Sequence, residues 1–135
     1  MDNYQQFIFK SRYARWMEEE ERREDWEEAV TRYLDFFSER FPKVVRPVYG
    51  ELWEAISEMR VMPSMRALMT ADRVPGTGAL SRDEVAGYNC SYLPIDSLRS
   101  FDETLYLLLC GVGVGFSVER QYISELPAVA DDFHD

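Results

Sequence analysis

Residues 88–119, YNCSYLPIDSLRSFDETLYLLLCGVGVGFSVE, predict a strand, a helix, a glycine turn and a second strand, in that order. The first part, YNCSYLPI, is typical of a short strand. Ser100 and Glu103 have the spacing of a capping box that opens a helix, and the lower half of this helix is apolar on nearly every side. Such a helix is expected to be buried. Gly111 stands where helices commonly end, and GFSVE at 115–119 predicts a buried strand.

Two helices are predicted on the N-terminal side of this stretch. Asp25 and Glu28 have capping-box spacing, and apolar side chains then recur at helical intervals. This pattern predicts a helix from about 25 to 40 that packs by one aromatic stripe. Pro47 can occupy the first turn of a second helix, which should stop before Pro63 because the residue before a proline is pushed out of the helical region.

Two further stretches are predicted to be connecting segments. The charge-dense run EEEERREDWEE at 18–28 is typical of a solvated helix face or a connector. The stretch ADRVPGTGALSRDEVAG at 71–87 is rich in turn-forming residues and predicts a mobile loop.

The composition fits one folded domain and argues against several functions. The chain has 135 residues, of which 46% are hydrophobic and 14% aromatic, enough to bury a core. Its formal net charge of -10 opposes unaided binding to nucleic acid or to an anionic membrane surface. No apolar run approaches the roughly 20 residues that cross a bilayer, and the N-terminus lacks the features of a signal peptide. A cytoplasmic protein is therefore expected.

Two cysteines and one histidine limit the chemistry of a site. Cys90, Cys110 and His134 cannot complete a usual four-ligand zinc site, and cytosolic thiols are normally reduced, so neither a metal nor a structural disulfide is expected. Cys110 lies in an apolar helix and is interpreted as a small structural hydrophobe. Cys90 has the polar side chains of Asn89, Ser91 and Tyr92 beside it, as a redox-active or nucleophilic thiol needs. No cysteine–histidine dyad is predicted.

Two backbone features leave alternatives open. In CGVGVGFSVE, residues 110–119, glycines close a helix and lead into a strand, which is the reverse of a dinucleotide fingerprint, so no conventional Rossmann site is expected. These glycines either allow a tight turn or present bare backbone to a ligand. In RVMPSMRAL, residues 60–68, Pro63 and Ser64 break a helix and form either a simple turn or an anion-binding turn.

Several stretches, taken in order, resemble one family, the catalytic chain of ribonucleotide reductases. They are most similar to the adenosylcobalamin-dependent class II enzymes of the monomeric, triphosphate-reducing type. SRYARW and EDWEEAV resemble the entry segment, MPSMRAL the proline–serine turn before the first barrel strand, and NCSYLPI the strand with a redox cysteine. FDETLYLLLCGVGVGFSVER resembles the helix and glycine turn that follow. The matches span about residues 11–127, and their ordered combination is more specific than any single motif.

The resemblance implies an α+β fragment, with N-terminal helices followed by the first strands of a ten-stranded α/β barrel. An N-terminal helical region would occupy residues 1–62, and the start of an incomplete catalytic barrel residues 63–135. The implied activity is reduction of ribonucleotides to 2′-deoxyribonucleotides by thiyl-radical chemistry, for DNA synthesis. The complete enzyme would use adenosylcobalamin as cofactor and a thioredoxin-like protein as reductant.

The resemblance also implies roles for individual residues. Cys90 matches one of the two thiols that reduce the 2′-carbon of the substrate and become a disulfide during turnover. Ser64 and the adjoining backbone would hold the substrate phosphate, and Asn89 would lie beside the ribose. The turn from Gly113 to Gly115 would give the substrate close access to the backbone.

The sequence ends at Asp135, before the positions of the family's radical-bearing cysteine, the second redox thiol and the groups that move protons. We therefore expect the N-terminal part of a reductase, produced by gene splitting or truncation, whose strand edges and open core pair with the remainder of the chain or with a complementing polypeptide. Turnover by this part alone is not expected. Two alternatives are a fragment of a class I large subunit, which receives its radical from a partner protein, and a noncatalytic interaction module that docks through its aromatic helix and residues 105–110.

Overall fold

The structure is a computed structural model that describes residues 1–72, 74 and 76–128, and its architecture is α+β. The chain divides into two compact units, Met1–Gly87 (unit 1) and Tyr88–Asp135 (unit 2). The boundary predicted between residues 62 and 63 concerns the point where a catalytic barrel begins, and it stays a prediction. Within the described ranges, every helix is too short or too polar to cross a bilayer.

Unit 1 is mainly helical. Its described helices are α1 (Asn3–Arg12), α2 (Trp26–Arg40), α3 (Pro42–Val45), α4 (Tyr49–Ser57), α5 (Met65–Thr70) and α6 (Ala79–Arg82). Short 3-10 segments occupy Arg46–Val48 and Glu84–Gly87. Strands β1 (Trp16–Met17) and β2 (Arg22–Arg23) form a small antiparallel hairpin.

Helix α2 organises the core of unit 1. It begins after Asp25, whose backbone amide donates to Glu28 Oε2 at 2.6 Å, as the capping-box spacing predicts. Buried side chains of α2 belong to separate apolar clusters: Ala29 with Phe9 and Ala14, Val30 and Leu34 with Ile56, and Phe36 with Ala67, Ala71 and Leu80. The helix predicted from about 25 to 40 is therefore confirmed, and other elements cover its apolar side chains.

A buried ion pair lies beside this core. Glu24 is 0% exposed and Arg32 is 4% exposed, and Arg32 Nη2 lies 2.5 Å from Glu24 Oε1. Arg32 Nη1 also donates to the carbonyl oxygens of Leu68 and Ala71, at 2.8 and 2.9 Å. The prediction that residues 18–28 form a solvated helix face or connector is wrong for Glu24, because a cationic partner offsets the cost of burying its carboxylate.

The second predicted helix is shorter than expected. Pro47 lies in a 3-10 segment, α4 follows it directly, and α4 ends at Ser57. Met59 then takes a positive φ of 58°. The predicted stop before Pro63 is confirmed, although the chain leaves the helical conformation several residues earlier.

The stretch 71–87 contains more structure than the loop predicted for it. Helix α6 and a 3-10 segment lie within it, and Leu80 is buried in the same cluster as Phe36. Asp72 is 5% exposed, and a Cβ placed on Gly78 would collide with the Asp72 carboxylate. Turn-forming residues indicate only a local backbone preference, whereas Leu80 is held by packing against other elements of unit 1.

Unit 2 contains a strand–helix–strand motif followed by a short helix. Its described elements are β3 (Cys90–Pro94), α7 (Arg99–Leu109), β4 (Gly113–Ser117) and α8 (Arg120–Ile123). The strands pair in parallel, from Cys90 opposite Gly113 to Pro94 opposite Ser117. Parallel strands need a crossover connection, which α7 supplies. Gly111 has a φ of 83° just after the helix, so the predicted glycine end of α7 is confirmed.

Helix α7 differs from its prediction in two ways. It begins at Arg99 after the N-cap Leu98, and the Ser100 hydroxyl lies inside the helix, 3.2 Å from Asp96 Oδ1, so the predicted capping box does not open the helix. The helix is also not buried, since Leu109 is 87% exposed. A helix that is apolar on most sides is buried only where other elements pack around it, and the described residues do not surround α7 in this way.

Strand β4 also departs from the buried strand predicted at 115–119. It begins at Gly113, and Phe116 is 61% exposed. Glycine is depleted in strands, so composition does not mark the start of β4. Pairing with β3 overrides that preference.

Candidate functional site

Strands β3 and β4 present two faces with different surroundings. Because side chains alternate along a strand, Cys90 and Tyr92 lie on one face and Leu93 on the other. We call the first the cysteine face; in the observed register it carries Cys90, Tyr92, Pro94, Gly113, Gly115 and Ser117. Leu93 lines a groove together with residues of α7, among them Tyr106 and Leu107. Helix α7 therefore packs on the side opposite the cysteine face.

The cysteine face carries an exposed thiol beside bare backbone. Cys90 is exposed and not in a disulfide, and Gly113 lies opposite it in register. The Gly113 amide donates to the Asn89 carbonyl oxygen at 2.9 Å, and a Cβ on Gly113 would lie 3.3 Å from that oxygen, closer than ordinary contact. A Cβ on Gly115 would lie 3.6 Å from the Ser91 carbonyl oxygen, an ordinary contact. The two glycines leave a flat floor beside the thiol, which we call the glycine floor.

The structure brings together the predicted site residues of unit 2. Asn89 is exposed and directly precedes β3, next to Cys90. Gly113 and Gly115 lie within β4 and not in a turn, which corrects the expectation that they form one. Alternating glycines are typical of a turn, which is why a turn was expected at Gly113 and Gly115. Pairing with β3 instead places both of them in the sheet, and only Gly111 lies before the strand.

Ser64 belongs to unit 1, where it is exposed. It is the N-cap of α5, and its hydroxyl oxygen accepts a hydrogen bond from the Ala67 amide at 3.3 Å. Ser64 therefore has a structural role at the start of α5.

At the other end of α5, the Arg15 guanidinium donates to the Met69 carbonyl oxygen at 2.9 Å. Burial lowers the pKa of Arg15, and the nearby cation Arg32 lowers it further.

Tyr92, which the sequence indicated only as a polar neighbour of Cys90, lies on the cysteine face. It is 61% exposed and lies opposite Gly115. The nearby Ser117 side chain lowers the pKa of its hydroxyl, but the nearby Tyr122 side chain, desolvation and the Glu119 carboxylate together raise that pKa above its usual value. The Tyr92 hydroxyl is therefore protonated at neutral pH. The two-residue spacing from Cys90 was the available signal, because it puts both side chains on one face.

The remaining candidates of the sequence analysis lie away from the cysteine face. Cys110 is the C-cap of α7 and is partly buried; its structural role stays a prediction. His134 lies outside the described residues. Within residues 1–72, 74 and 76–128, no three His, Cys, Asp or Glu side chains are grouped so that they could hold a metal ion.

Comparison with known proteins relates this arrangement to one group of enzymes. No protein-family model matches the chain. The chain is 30% identical over 158 aligned residues to an adenosylcobalamin-dependent ribonucleoside-triphosphate reductase from Lacticaseibacillus paracasei, an alignment that covers 90% of this chain and 20% of that protein. A crystal structure of a B12-dependent (class II) ribonucleotide reductase matches with a TM-score of 0.75 and 26% identity, over 90% of this chain and 21% of that one.

These likenesses relate the chain to the ribonucleotide reductases, a group of oxidoreductases. The relatives are of the adenosylcobalamin-dependent class II kind, so the resemblance predicted from the sequence is confirmed. The chain spans about a fifth of the length of these relatives.

No ligand for the cobalt of adenosylcobalamin, on which the relatives depend, is identifiable among the described residues. The described ranges contain no histidine and no cluster of metal-ligating side chains that could bind a cobalt centre. The exposed thiol and the glycine floor instead suit a small organic ligand that approaches the backbone closely.

Proposed function

We propose that this chain is the N-terminal segment of a ribonucleotide reductase that converts ribonucleotides, specifically triphosphates, to 2′-deoxyribonucleotides for DNA synthesis. The observation that carries the proposal is the position of the Cys90 thiol, exposed beside Gly113 on paired strands, in a chain of which 90% aligns with a class II reductase structure. Strands β3 and β4 would be the first strands of a ten-stranded α/β barrel completed by further chain. Residues 63–135 would start that barrel, after a helical region at 1–62.

In this proposal Cys90 supplies one of two reducing thiols. Replacing the 2′-hydroxyl of a ribose by hydrogen takes two electrons and two protons, and the hydroxyl leaves as water. Two thiols supply these electrons and protons and become a disulfide. Cys110 caps α7 and does not lie on the cysteine face, so the second thiol comes from outside this chain.

The neighbours of Cys90 would hold the sugar against the thiol. Gly113 and Gly115 leave room for a ribose to lie on the strand backbone, and Asn89 would lie beside it. Ser64 would contribute to phosphate binding, for which the support is the matching MPSMRAL stretch of the sequence. The thiyl-radical chemistry belongs to residues outside this chain.

The proposed partners follow from the same chemistry. A ribonucleotide is the substrate, and a thioredoxin-like protein would reduce the disulfide after each turnover, in the cytoplasm, where thiols are kept reduced. The remainder of the reductase chain, or a complementing polypeptide, would cover α7, on which Leu105 is 59% and Leu109 is 87% exposed. Exposed apolar surface of this kind marks an interaction site. Turnover by this chain alone is not expected.

Replacement of Cys90 tests the reducing role. The reductase assembled from this chain and the polypeptide that completes it is supplied with a ribonucleoside triphosphate, adenosylcobalamin and a dithiol, and deoxyribonucleotide formation is measured. Cys90→Ser is expected to abolish thiol-dependent reduction and to leave folding intact, because the side chain is exposed and nearly isosteric. Cys110→Ser, the matched control, should retain activity. Unchanged activity of Cys90→Ser would remove this residue from the mechanism.

Two other readings give different results in the same experiment. A class I large subunit would stay inactive with adenosylcobalamin and would require a metal-containing radical subunit. A noncatalytic module would bind a partner tightly through the exposed side of α7, and alkylation of Cys90 would change no reductase activity. The class II reading is favoured because both relatives are B12-dependent.

A further inference from the structure

Tyr92 extends the cysteine face beyond the thiol. Residues i and i+2 of a strand lie about 6.6 Å apart on the same face, so the Tyr92 ring stands one side-chain position along from Cys90. Gly113 lies opposite Cys90 and Gly115 opposite Tyr92, so no side chain stands directly opposite either of them. A ligand on the glycine floor with one part at the thiol therefore reaches the Tyr92 ring.

The hydroxyl of Tyr92 has polar neighbours, and its ring is open. The hydroxyl interacts with Ser117 and Tyr122, whereas the residue as a whole is 61% exposed. An aromatic side chain has few rotatable bonds, so it loses little freedom when a ligand binds. Its exposed ring can stack on a flat heteroaromatic group, and such stacking accepts any nucleobase because every base has a π-face.

Charge decides which part of a nucleotide suits this position. From the ribose, a nucleotide extends to its base in one direction and to its phosphates in the other. The Glu119 carboxylate acts on the Tyr92 hydroxyl, so a phosphate brought to this position would meet a like charge. An uncharged base meets no such repulsion.

We propose that the Tyr92 ring packs against the nucleobase of the ribonucleotide whose ribose lies at Cys90. This inference rests on the proposed function, because it takes the ribose to be the group that the thiol reduces. Tyr92 is then a substrate-binding residue that holds the nucleoside in place, and it contributes to the binding of all four ribonucleotides.

Equilibrium binding with and without the base tests the contact. The whole reductase that carries this chain is titrated with ATP and, separately, with ribose 5-triphosphate, which lacks the base. Tyr92→Ala is expected to weaken ATP binding about 10-fold, within the range for loss of one base–aromatic stack. Binding of ribose 5-triphosphate should stay unchanged. Tyr92→Phe keeps the ring and should bind ATP within about twofold of the unsubstituted protein.

Phe116 offers a matched control. It is 61% exposed, like Tyr92, but lies opposite Leu93 on the other face of the strands, so Phe116→Ala should leave the binding of both compounds unchanged. Equal weakening of both compounds by Tyr92→Ala, or no weakening of ATP, would overturn the base contact while leaving the role of Cys90 standing. If the unsubstituted reductase binds neither compound, the proposed function falls and the base contact with it.

Discussion

Helices α2 and α7 carry similar numbers of apolar side chains but have opposite surroundings. On α2, Val30 and Leu34 are 0% and 2% exposed, because α4 supplies side chains that pack against them. On α7, Leu105 and Leu109 are 59% and 87% exposed. Unit 1 thus buries its central helix with its own elements, whereas α7 of unit 2 retains an apolar surface that suits further protein. The position of an apolar helix in the fold, and not its composition, decides whether its side chains are buried.

Loss of the buried cation in unit 1 should have the largest effect on stability. Arg32→Ala leaves the Glu24 carboxylate, which is 0% exposed, without its partner, and unpairing a buried charge costs about 3–5 kcal/mol. Urea unfolding followed by tryptophan fluorescence measures the loss. Arg60→Ala is the control, since its ion pairs with Glu54 and Glu58 are more than half exposed and such pairs contribute about 1 kcal/mol or less. Equal effects of the two substitutions would show that the Glu24–Arg32 pair is solvated in solution.

Two matched leucine truncations test the comparison of α2 and α7 directly. Leu34→Ala opens a cavity in unit 1 and should lower the free energy of unfolding by about 2–5 kcal/mol. Leu109→Ala removes an exposed side chain and should change it by no more than about 0.5 kcal/mol. The midpoint of urea unfolding of each variant provides the measurement. If Leu109→Ala proves as costly as Leu34→Ala, α7 is buried in solution and the contrast between the two helices fails.

Asp72, a buried carboxylate of unit 1, should make a smaller contribution to stability, and this contribution should depend on pH. Burial raises the pKa of Asp72, but the nearby Ser81 hydroxyl, the Gly78 and Gly76 amides and the Arg15 charge together lower it, so the folded pKa lies below its usual value. The stability that Asp72 contributes is therefore fully present above its unfolded pKa of about 3.9 and is lost as pH falls through the folded pKa.

Asp72→Asn isolates this contribution. At neutral pH the substitution should cost on the order of 1 kcal/mol, the scale of one net polar interaction, because it removes the charge that these neighbouring groups stabilise. Below about pH 4 the unsubstituted protein should approach the variant, because its own carboxylate becomes protonated there. Unfolding free energies measured between neutral and acidic pH give the comparison. Parallel pH profiles for the two proteins would show that the pKa of Asp72 is the same in the folded and unfolded states.

Local signals were enough to predict several elements. The capping-box residues Asp25 and Glu28 and the helical spacing that follows them gave correct bounds for α2. The end of α7 at Gly111 was also correct, because a positive φ at that position suits glycine. Each of these signals involves residues within one or two turns of each other in the chain.

Other features depended on partners distant in sequence. Glu24 was expected in a solvated run because its charged neighbours are local, whereas Arg32 and the carbonyls of α5 that surround the pair are not. Gly113 and Gly115 were expected in a turn because pairing with β3 is not visible in composition. For the site, the sequence singled out Cys90 and its polar neighbours, but it did not show which glycines lie opposite them, because strand register depends on pairing between distant residues.

By itself, the sequence determined the main helices, the strand that carries Cys90, the glycine end of α7 and the resemblance to ribonucleotide reductases, which comparison confirmed. The tertiary structure decided which charges are buried, which apolar helix is covered, and which side chains stand beside the Cys90 thiol. The physical reason is the range of the interactions. Capping and helical periodicity act between near neighbours, whereas burial and strand register depend on residues brought together only by folding.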